Sequence, residues 1–431
     1  MSGARVSVVN LGCRVNRVEA DVIASELERA GACLTSETEA DAIVINTCAV
    51  TGEAEAKTRK AVRHAATLPQ APVVVACGCV ANLFSDEVAA IAPNVIVERD
   101  KSAVARRVLE ALGQPSPDAD DAADPAVACI PAAPTPLGRM RPGIKIQDGC
   151  DNRCTYCIVW KARGASRSLA APDVVSAVRA ACDRGAREVV LTGINLGRYE
   201  DASGERSLNL ASLIDLLMQE TTIGRLRLSS IEPPDVDDEL LAAMARHGER
   251  VAPFLHVCLQ SGCDETLSRM GRVYDTALYR DVVRRAREAL PGLALGTDLI
   301  VGFPGETDGE FARTLAFCEE MRFAKMHVFR YSRRPGTPAA EAPGQVDPRV
   351  MAERARRVRD LASAMRAAEA ERLVGTEQLV LVQAPGTGVT GGLFEATLDE
   401  KSPVGELVRV RVDATAPSSR LACSPAPVPE H

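Results

Sequence analysis

The 431-residue chain is 46% hydrophobic, carries a formal net charge of −7 and contains fourteen cysteines. Its length and apolar content allow two or three buried cores. No apolar run approaches the roughly 18 residues of a membrane span and no signal-like segment opens the chain, so a membrane protein and a secreted disulfide scaffold are set aside, and a cytoplasmic location is expected. The acidic balance gives no global basic field, and a polyanionic partner would need a local patch.

Residues 1–112 alternate short β-branched runs (Val6–Val9, Ala42–Ile45, Pro72–Val75, Val95–Val97) with Ala/Glu/Arg-rich helical stretches, the pattern of an α/β, doubly wound parallel sheet. Three of the runs are followed at once by a cysteine: Cys13 in Leu-Gly-Cys-Arg-Val-Asn, Cys48 in Asn-Thr-Cys and Cys79 in Cys-Gly-Cys. In a parallel sheet these thiols fall along one edge, where they could hold one cluster, although a lone cysteine is more often a small buried apolar residue. Cys77 lies within its run and is expected to face the other side of the pleat. Residues 113–136 shift to Pro, Ala and Asp and read as a linker.

The next region, 137–373, opens with Cys150, Cys154 and Cys157 at C-x3-C-x2-C spacing, with no nearby histidine or fourth cysteine. Structural zinc is closed by four protein ligands, whereas three thiolates on a cubane cluster leave one iron open. Strands are expected at Ile144–Gln147, Glu188–Thr192, Leu226–Ser230, Leu255–Gln260, Leu295–Val301 and Lys325–Phe329, with helices between them. Six βα units predict a partial TIM-like (βα)6 barrel with its chemistry at the strand C-terminal ends. Thr192-Gly193-Ile194-Asn195, Glu232-Pro233, Gln260-Ser261-Gly262 and the Gly302 turn stand at those ends, although each could be a simple βα turn. His256 alternates with apolar residues and reads as an interior histidine.

Around the cysteine loop, Leu137–Ser168 carries a net charge of +5, including Lys161, Arg163 and Arg167, and suits a phosphate backbone. A helix is expected over Pro348–Leu373. Residues 374–431 read as a small C-terminal β-barrel with a net charge of −3, which argues against a strong electrostatic grip there.

The ordered motifs Leu11–Asn16, Asn46–Thr51, Gln147–Cys150, Arg163-Gly164, Leu191–Gly197, Leu228–Pro233, Leu259–Gly262 and Ile300–Thr307 together resemble the methylthiotransferases, a branch of the radical S-adenosylmethionine (SAM) enzymes, from about Val6 to Leu373. Beyond that the tail weakly resembles the family's RNA-binding TRAM domain. The resemblance implies two [4Fe-4S] clusters, one with SAM on Cys150, Cys154 and Cys157 and an auxiliary one on Cys13, Cys48 and Cys79. It further implies one SAM-dependent methyl transfer to sulfur and one hydrogen abstraction by a 5′-deoxyadenosyl radical. Thr192, Gly193, Asn195, Glu232, Gln260, Ser261 and Gly302 are expected to contact SAM, and Lys161, Arg163 and Arg167 to contact RNA. A reducing electron donor such as flavodoxin or ferredoxin and a sulfur source are also implied.

Arg14-Val15-Asn16 after the first cysteine and Tyr331–Pro338 look most like the branch that modifies N6-threonylcarbamoyladenosine at tRNA position 37. Trp160-Lys161 departs from the family's usual Pro-Tyr. The alternatives are isopentenyladenosine tRNA, a ribosomal-protein side chain, or, in another class, a non-catalytic metal-containing RNA-binding scaffold.

Overall fold

The computed structural model describes residues 3–115, 133–204 and 207–426. Most of the expected linker, 116–132, therefore lies outside the described residues. Strands β1 (Arg5–Asn10), β2 (Cys33–Leu34), β3 (Ala42–Thr47), β4 (Val73–Gly78) and β5 (Val95–Val97) form a wholly parallel sheet in the order β2-β1-β3-β4-β5. Alternate residues of its central strands enter two separate cores. Ile43, Ile45, Val74 and Ala76 pack with Val62 and Ala65 of helix α2 (Gly52–Ala66), while Ala42, Val44 and Val75 pack with Ile23 and Leu27 of helix α1 (Arg14–Arg29). Burial on both faces is why these strands read as unbroken apolar runs. Cys77 follows Val75 into the α1 core, whereas Cys79, beyond the strand and past the turn at Gly78, enters the α2 core.

Two further parallel sheets follow, made of β6 (Gly143–Lys145), β7 (Glu188–Thr192) and β8 (Arg225–Leu228), and of β9 (Ser230–Ile231), β10 (Phe254–Val257), β11 (Ala294–Val301) and β12 (Lys325–Arg330). β8, β7 and β6 pair in that order, as do β9, β10, β11 and β12. β8 and β9 are one strand position interrupted at Ser229, so six positions make the open barrel. Helix α3 (Asp308–Met321) carries a full capping box between Thr307 and Glu310, and the long α4 (Pro348–Glu371) packs on β12. The chain ends in a closed five-stranded barrel, β13 (Glu377–Ala384), β14 (Thr387–Thr390), β15 (Glu395–Thr397), β16 (Leu407–Ala416) and β17 (Arg420–Pro425), in the order β13-β14-β15-β17-β16. The sequence pattern shows only β13 and β16, because the others are short and broken by glycine, proline and charge.

Ion pairing closes the base of the large barrel. Glu188, the first residue of β7, is fully buried and takes Arg225 Nε at 2.6 Å and Arg227 Nε at 2.7 Å, with Arg141 at 3.8 Å. The two strand arginines also donate to the small barrel, Arg225 to the Leu379 carbonyl at 2.6 Å and Arg227 to the Gly391 carbonyl at 2.7 Å. Burial would raise the Glu188 pKa, but Arg227, Arg225 and Arg141 overcome it and hold the carboxyl at about 2. No helix among the described residues is long and apolar enough to cross a membrane.

Because the folded pKa of Glu188 is depressed below its unfolded value of ~4.3, its stabilisation is present above that value and is lost as pH falls towards about 2. Glu188→Gln should leave the arginines uncompensated and lower stability by about 3–5 kcal/mol. Circular-dichroism melts across the acid range should show the loss at neutral pH and a flatter acid limb in the variant.

Candidate active site

The three cysteines of the first sheet stand at its C-terminal edge. Cys13 caps α1, Cys48 follows β3 and Cys79 follows β4. Each of Cys13 and Cys48 lies within electrostatic range of the other thiols of the set. Gly78, at φ 93°, makes the final turn possible, because a Cβ there would sit 2.6 Å from the Thr47 carbonyl and from Asn46 Oδ1. Burial, with Cys13 adding to it, pushes the Cys48 thiol up to about 11. Loading such thiols with iron must therefore release protons.

Cys150, Cys154 and Cys157 lie on the loop that leaves β6, with donors aimed at their sulfurs. The Val159 amide is 3.4 Å from Cys157 Sγ, Arg272 Nη1 is 3.0 Å from Cys154 Sγ, and Asn195 Nδ2 is 4.0 Å from Cys150 Sγ. N–H donors directed at sulfur are what a cluster's thiolates require, so the triplet fits an iron–sulfur group. Among the described residues, the donor groups that converge within 4.8 Å, as a single ion needs, are His256–Asp298–His327 and Cys263–Glu265–Glu310, and neither cysteine triplet is one of them. Arg272 carries no motif signal, yet its buried guanidinium ties Cys154 to Glu232 and to the Tyr274 hydroxyl at 3.1 Å.

A buried charge network joins the Cys13 end of α1 to Asp148, just before the second cysteine triplet. Arg163 donates to Glu19 Oε1 and Asp148 Oδ1, both at 2.9 Å, and to Asn16 Oδ1, also at 2.9 Å. Asn16 in turn receives the Cys13 thiol at 3.3 Å and donates to the Thr47 carbonyl at 2.7 Å. Lys145 spans Glu19 at 2.9 Å and Asp148 at 3.0 Å, and Lys101 also pairs with Glu19. Burial would raise the Glu19 pKa, but Arg163, Lys101 and Lys145 hold it well below the carboxylate range.

This network corrects the expected RNA patch. The Arg163 side chain is only 4% exposed and both its Nη groups are engaged by Glu19, Asp148 and Asn16, so it is no surface contact. Arg167 pairs with Asp148 at 2.9 Å, and Lys161 donates to the Gly336 carbonyl at 2.6 Å while lying near the Trp160 ring. Arg139 and Arg141 are likewise paired, with Asp21 and Glu188. Acidic residues distant in sequence neutralise much of the +5 balance.

The expected SAM contacts divide. Asn195 has a buried Oδ1 without a partner among the described residues and its Nδ2 near Cys150, and Glu232 stands beside Arg272, so both face the thiol loop. Gly193 leaves room for Gln147, whose Oε1 would lie 2.9 Å from a Cβ there and accepts from the Asn195 amide at 2.8 Å. Thr192 donates to the Ile144 carbonyl, and Gln260 adopts φ 65° in its turn. Ser261 instead is fully buried against Thr314 of α3 at 3.2 Å. Gly302 likewise accommodates α4, because a Cβ would meet Met351 at 2.3 Å. These two small residues answer to helix packing. Among the described residues a cleft of about 600 Å³ runs between the first sheet's cysteine edge and the end of β12, and its lining includes Leu11, Lys57, Arg330, Arg333 and Arg359.

Comparison with known proteins matches residues 144–318 to the Radical SAM superfamily and residues 5–98 to Uncharacterized protein family UPF0004. The chain is 33% identical to the threonylcarbamoyladenosine tRNA methylthiotransferase MtaB of Thermotoga maritima, over 97% of this chain and 96% of that protein. It is 35% identical to the tRNA-2-methylthio-N(6)-dimethylallyladenosine synthase of Erythrobacter litoralis, over 96% and 95%. The solved structure of the radical S-adenosylmethionine methyltransferase TsrM from Kitasatospora setae aligns with a TM-score of 0.54 at 16% identity, covering 78% of this chain and 77% of that one, a likeness of fold alone.

Arg163→Lys should not restore what Arg163→Met removes, because only the planar fork reaches Glu19, Asp148 and Asn16 together. Each variant should lose about 3–5 kcal/mol in chemical denaturation. Arg167→Gln, whose side chain is 59% exposed, should cost under ~1 kcal/mol.

Proposed function

The chain belongs to the radical SAM methylthiotransferases, and we propose that it adds a methylthio group to C2 of N6-threonylcarbamoyladenosine at position 37 of tRNA. The observation that supports this reading is the buried Arg163 network, which ties the Cys13 end of α1 to Asp148 just before the second triplet, since a methylthio transfer needs both a cluster that works with SAM and a sulfur-bearing one. On this reading Cys150, Cys154 and Cys157 hold the first [4Fe-4S] cluster, and Cys13, Cys48 and Cys79 the second. When bound, the cofactors supply a one-electron route to an unactivated C–H bond, which no acid or base side chain can open.

The protein's own residues place and shield. Asn195 and Glu232 offer polar groups beside the cluster loop for SAM, while Arg272 and the Val159 amide donate to its sulfurs. Glu188 and its arginines close the opposite end of the barrel to water. The division of labour assigns the auxiliary cluster to 1–112, SAM to 137–373 and an accessory RNA contact to 374–431. The tRNA backbone is met by the cleft beside β12, where Arg330 and Arg359 are exposed and have no ion-pair partner among the described residues. The substrate branch is supported by Arg14-Val15-Asn16 after Cys13 and by the MtaB relative. An electron donor and a sulfur source complete the reaction.

Anaerobically reconstituted protein should hold about eight irons per chain, falling to about four when either triplet is changed to alanine. Iron analysis with Mössbauer spectra checks this, and a single cluster in the wild type would reject the auxiliary site. Nucleoside mass spectrometry should show the 2-methylthio product from threonylcarbamoyladenosine tRNA and none from isopentenyladenosine tRNA or from ribosomal protein. Arg330→Gln combined with Arg359→Gln should flatten the salt dependence of tRNA binding by about two units of log–log slope.

A further inference from the structure

Three neighbouring strands of the large barrel bring two imidazoles and one carboxylate together. His256 of β10 pairs with Gly296 of β11, and Asp298, two residues on and facing the same side, pairs with His327 of β12. Their strand neighbours Leu255, Val257, Leu299 and Val328 turn the other way, into the core shared with Phe317 and Met321 of α3 and Val358 of α4. His256, Asp298 and His327 therefore face the interior of the barrel.

Asp298 Oδ1 lies 3.0 Å from His327 Nδ1 and 3.1 Å from His256 Nε2, and the two imidazole rings stack with their centroids 5.3 Å apart. All three donor atoms lie within 4.8 Å of one another. Two metal bonds of about 2.1 Å that meet at ~90–110° hold their ligand atoms about 3.0–3.4 Å apart, which is the spacing between the carboxylate oxygen and each nitrogen.

Hydrogen bonding accounts for only half of the arrangement. His327 Nδ1 is hydrogen-bonded to Asp298 Oδ1. His256 Nε2, on a side chain 3% exposed, has no hydrogen-bond partner among the described residues despite its nearness to the same oxygen. A buried ring nitrogen left in this way costs free energy, and a metal ion on its lone pair would remove the cost. Gly296 makes the room that the ring occupies, because a Cβ there would stand 2.6 Å from the Phe254 ring and 3.0 Å from His256 Nδ1. The Cys258 thiol donates to Asp298 Oδ2 at 3.9 Å and leaves Oδ1 to the imidazoles. Carboxylates that bind metal are oriented by such a second hydrogen bond.

Charge and donor type narrow the choice of ion. Asp298 is the one carboxylate of the set, Arg14 acts on it electrostatically, and Lys325 stands two residues before His327 on the same face of β12. Magnesium and calcium are held by several oxygens and do not suit two imidazoles beside two cations, whereas zinc and its first-row neighbours do. Two histidines and a carboxylate also leave coordination positions open towards the lumen.

We propose that His256, Asp298 and His327 bind a divalent transition-metal ion of the zinc class on the inner wall of the barrel, distinct from the iron of either cysteine triplet. The test gives zinc chloride to reconstituted full-length enzyme carrying its iron, desalts it, and reads metal content and zinc K-edge X-ray absorption. Because the readout is metal content and ligand type, it is independent of the methylthio transfer proposed above.

Wild type should retain about one zinc per chain beyond its iron, in a shell of nitrogen and oxygen with imidazole scattering and no sulfur. His256→Gln and His327→Gln should each weaken zinc binding at least about tenfold while keeping the iron content. His247→Gln, whose ring pairs instead with Asp215, should bind zinc as wild type does. Wild type that retains no zinc, or holds it through sulfur, would overturn the site, and neither result needs a variant to fold. Histidine 256 and 327 variants that fold and still hold zinc as tightly as wild type would overturn it too, leaving the three residues as a hydrogen-bonded wall.

Discussion

Glu19 is the residue on which the rest of the site depends. Its buried carboxylate receives Arg163, Lys145 and Lys101 at once, from the cysteine loop, from the barrel's first strand and from the first sheet's own helical side. Three cations on one buried carboxylate have few alternative arrangements, because moving the elements apart would strip Glu19 of Arg163 and Lys145 and leave it with Lys101 alone. The network thereby ties together two segments that carry thiols from distant parts of the sequence, Cys13 and Cys150.

The same principle recurs at the opposite end of the barrel. Glu188 gathers Arg225, Arg227 and Arg141, and two of these arginines reach the carbonyls of the small barrel. One buried carboxylate thus joins the sheets at the reacting end and another seals the base against the appended barrel. Between them, Asp298 is paired with His256 and His327 on the barrel wall. Paired cations such as Arg163 and Arg227 hold the fold.

Much of the architecture was legible in the sequence for a local reason. A strand buried on both faces must be apolar throughout, so Ala42–Thr47 and Val73–Gly78 announce themselves, and the six barrel strands recur at the expected intervals. Cysteine placement was legible too, since Cys13, Cys48 and Cys79 each follow such a strand. The small barrel was only half visible because β14 and β15 are too short to show a period and β17 carries a charge at one end and proline at the other.

The sequence by itself determined which segments are strands, which ends carry thiols and which spacing leaves a cluster with an open iron, because these depend on neighbours within a few residues. Only the tertiary structure decided what the charges do. Arg163 and Arg167 look like a basic surface when counted along the chain, but Asp148 and the distant Glu19 neutralise them in space. Ser261 and Gly302 look like cofactor contacts until Thr314 and Met351 fill the space beside them. Arg272, with no motif around it, becomes a cysteine's partner because the chain folds back by more than a hundred residues. Electrostatic and packing roles are set by through-space distance, which the order of residues along a chain does not encode.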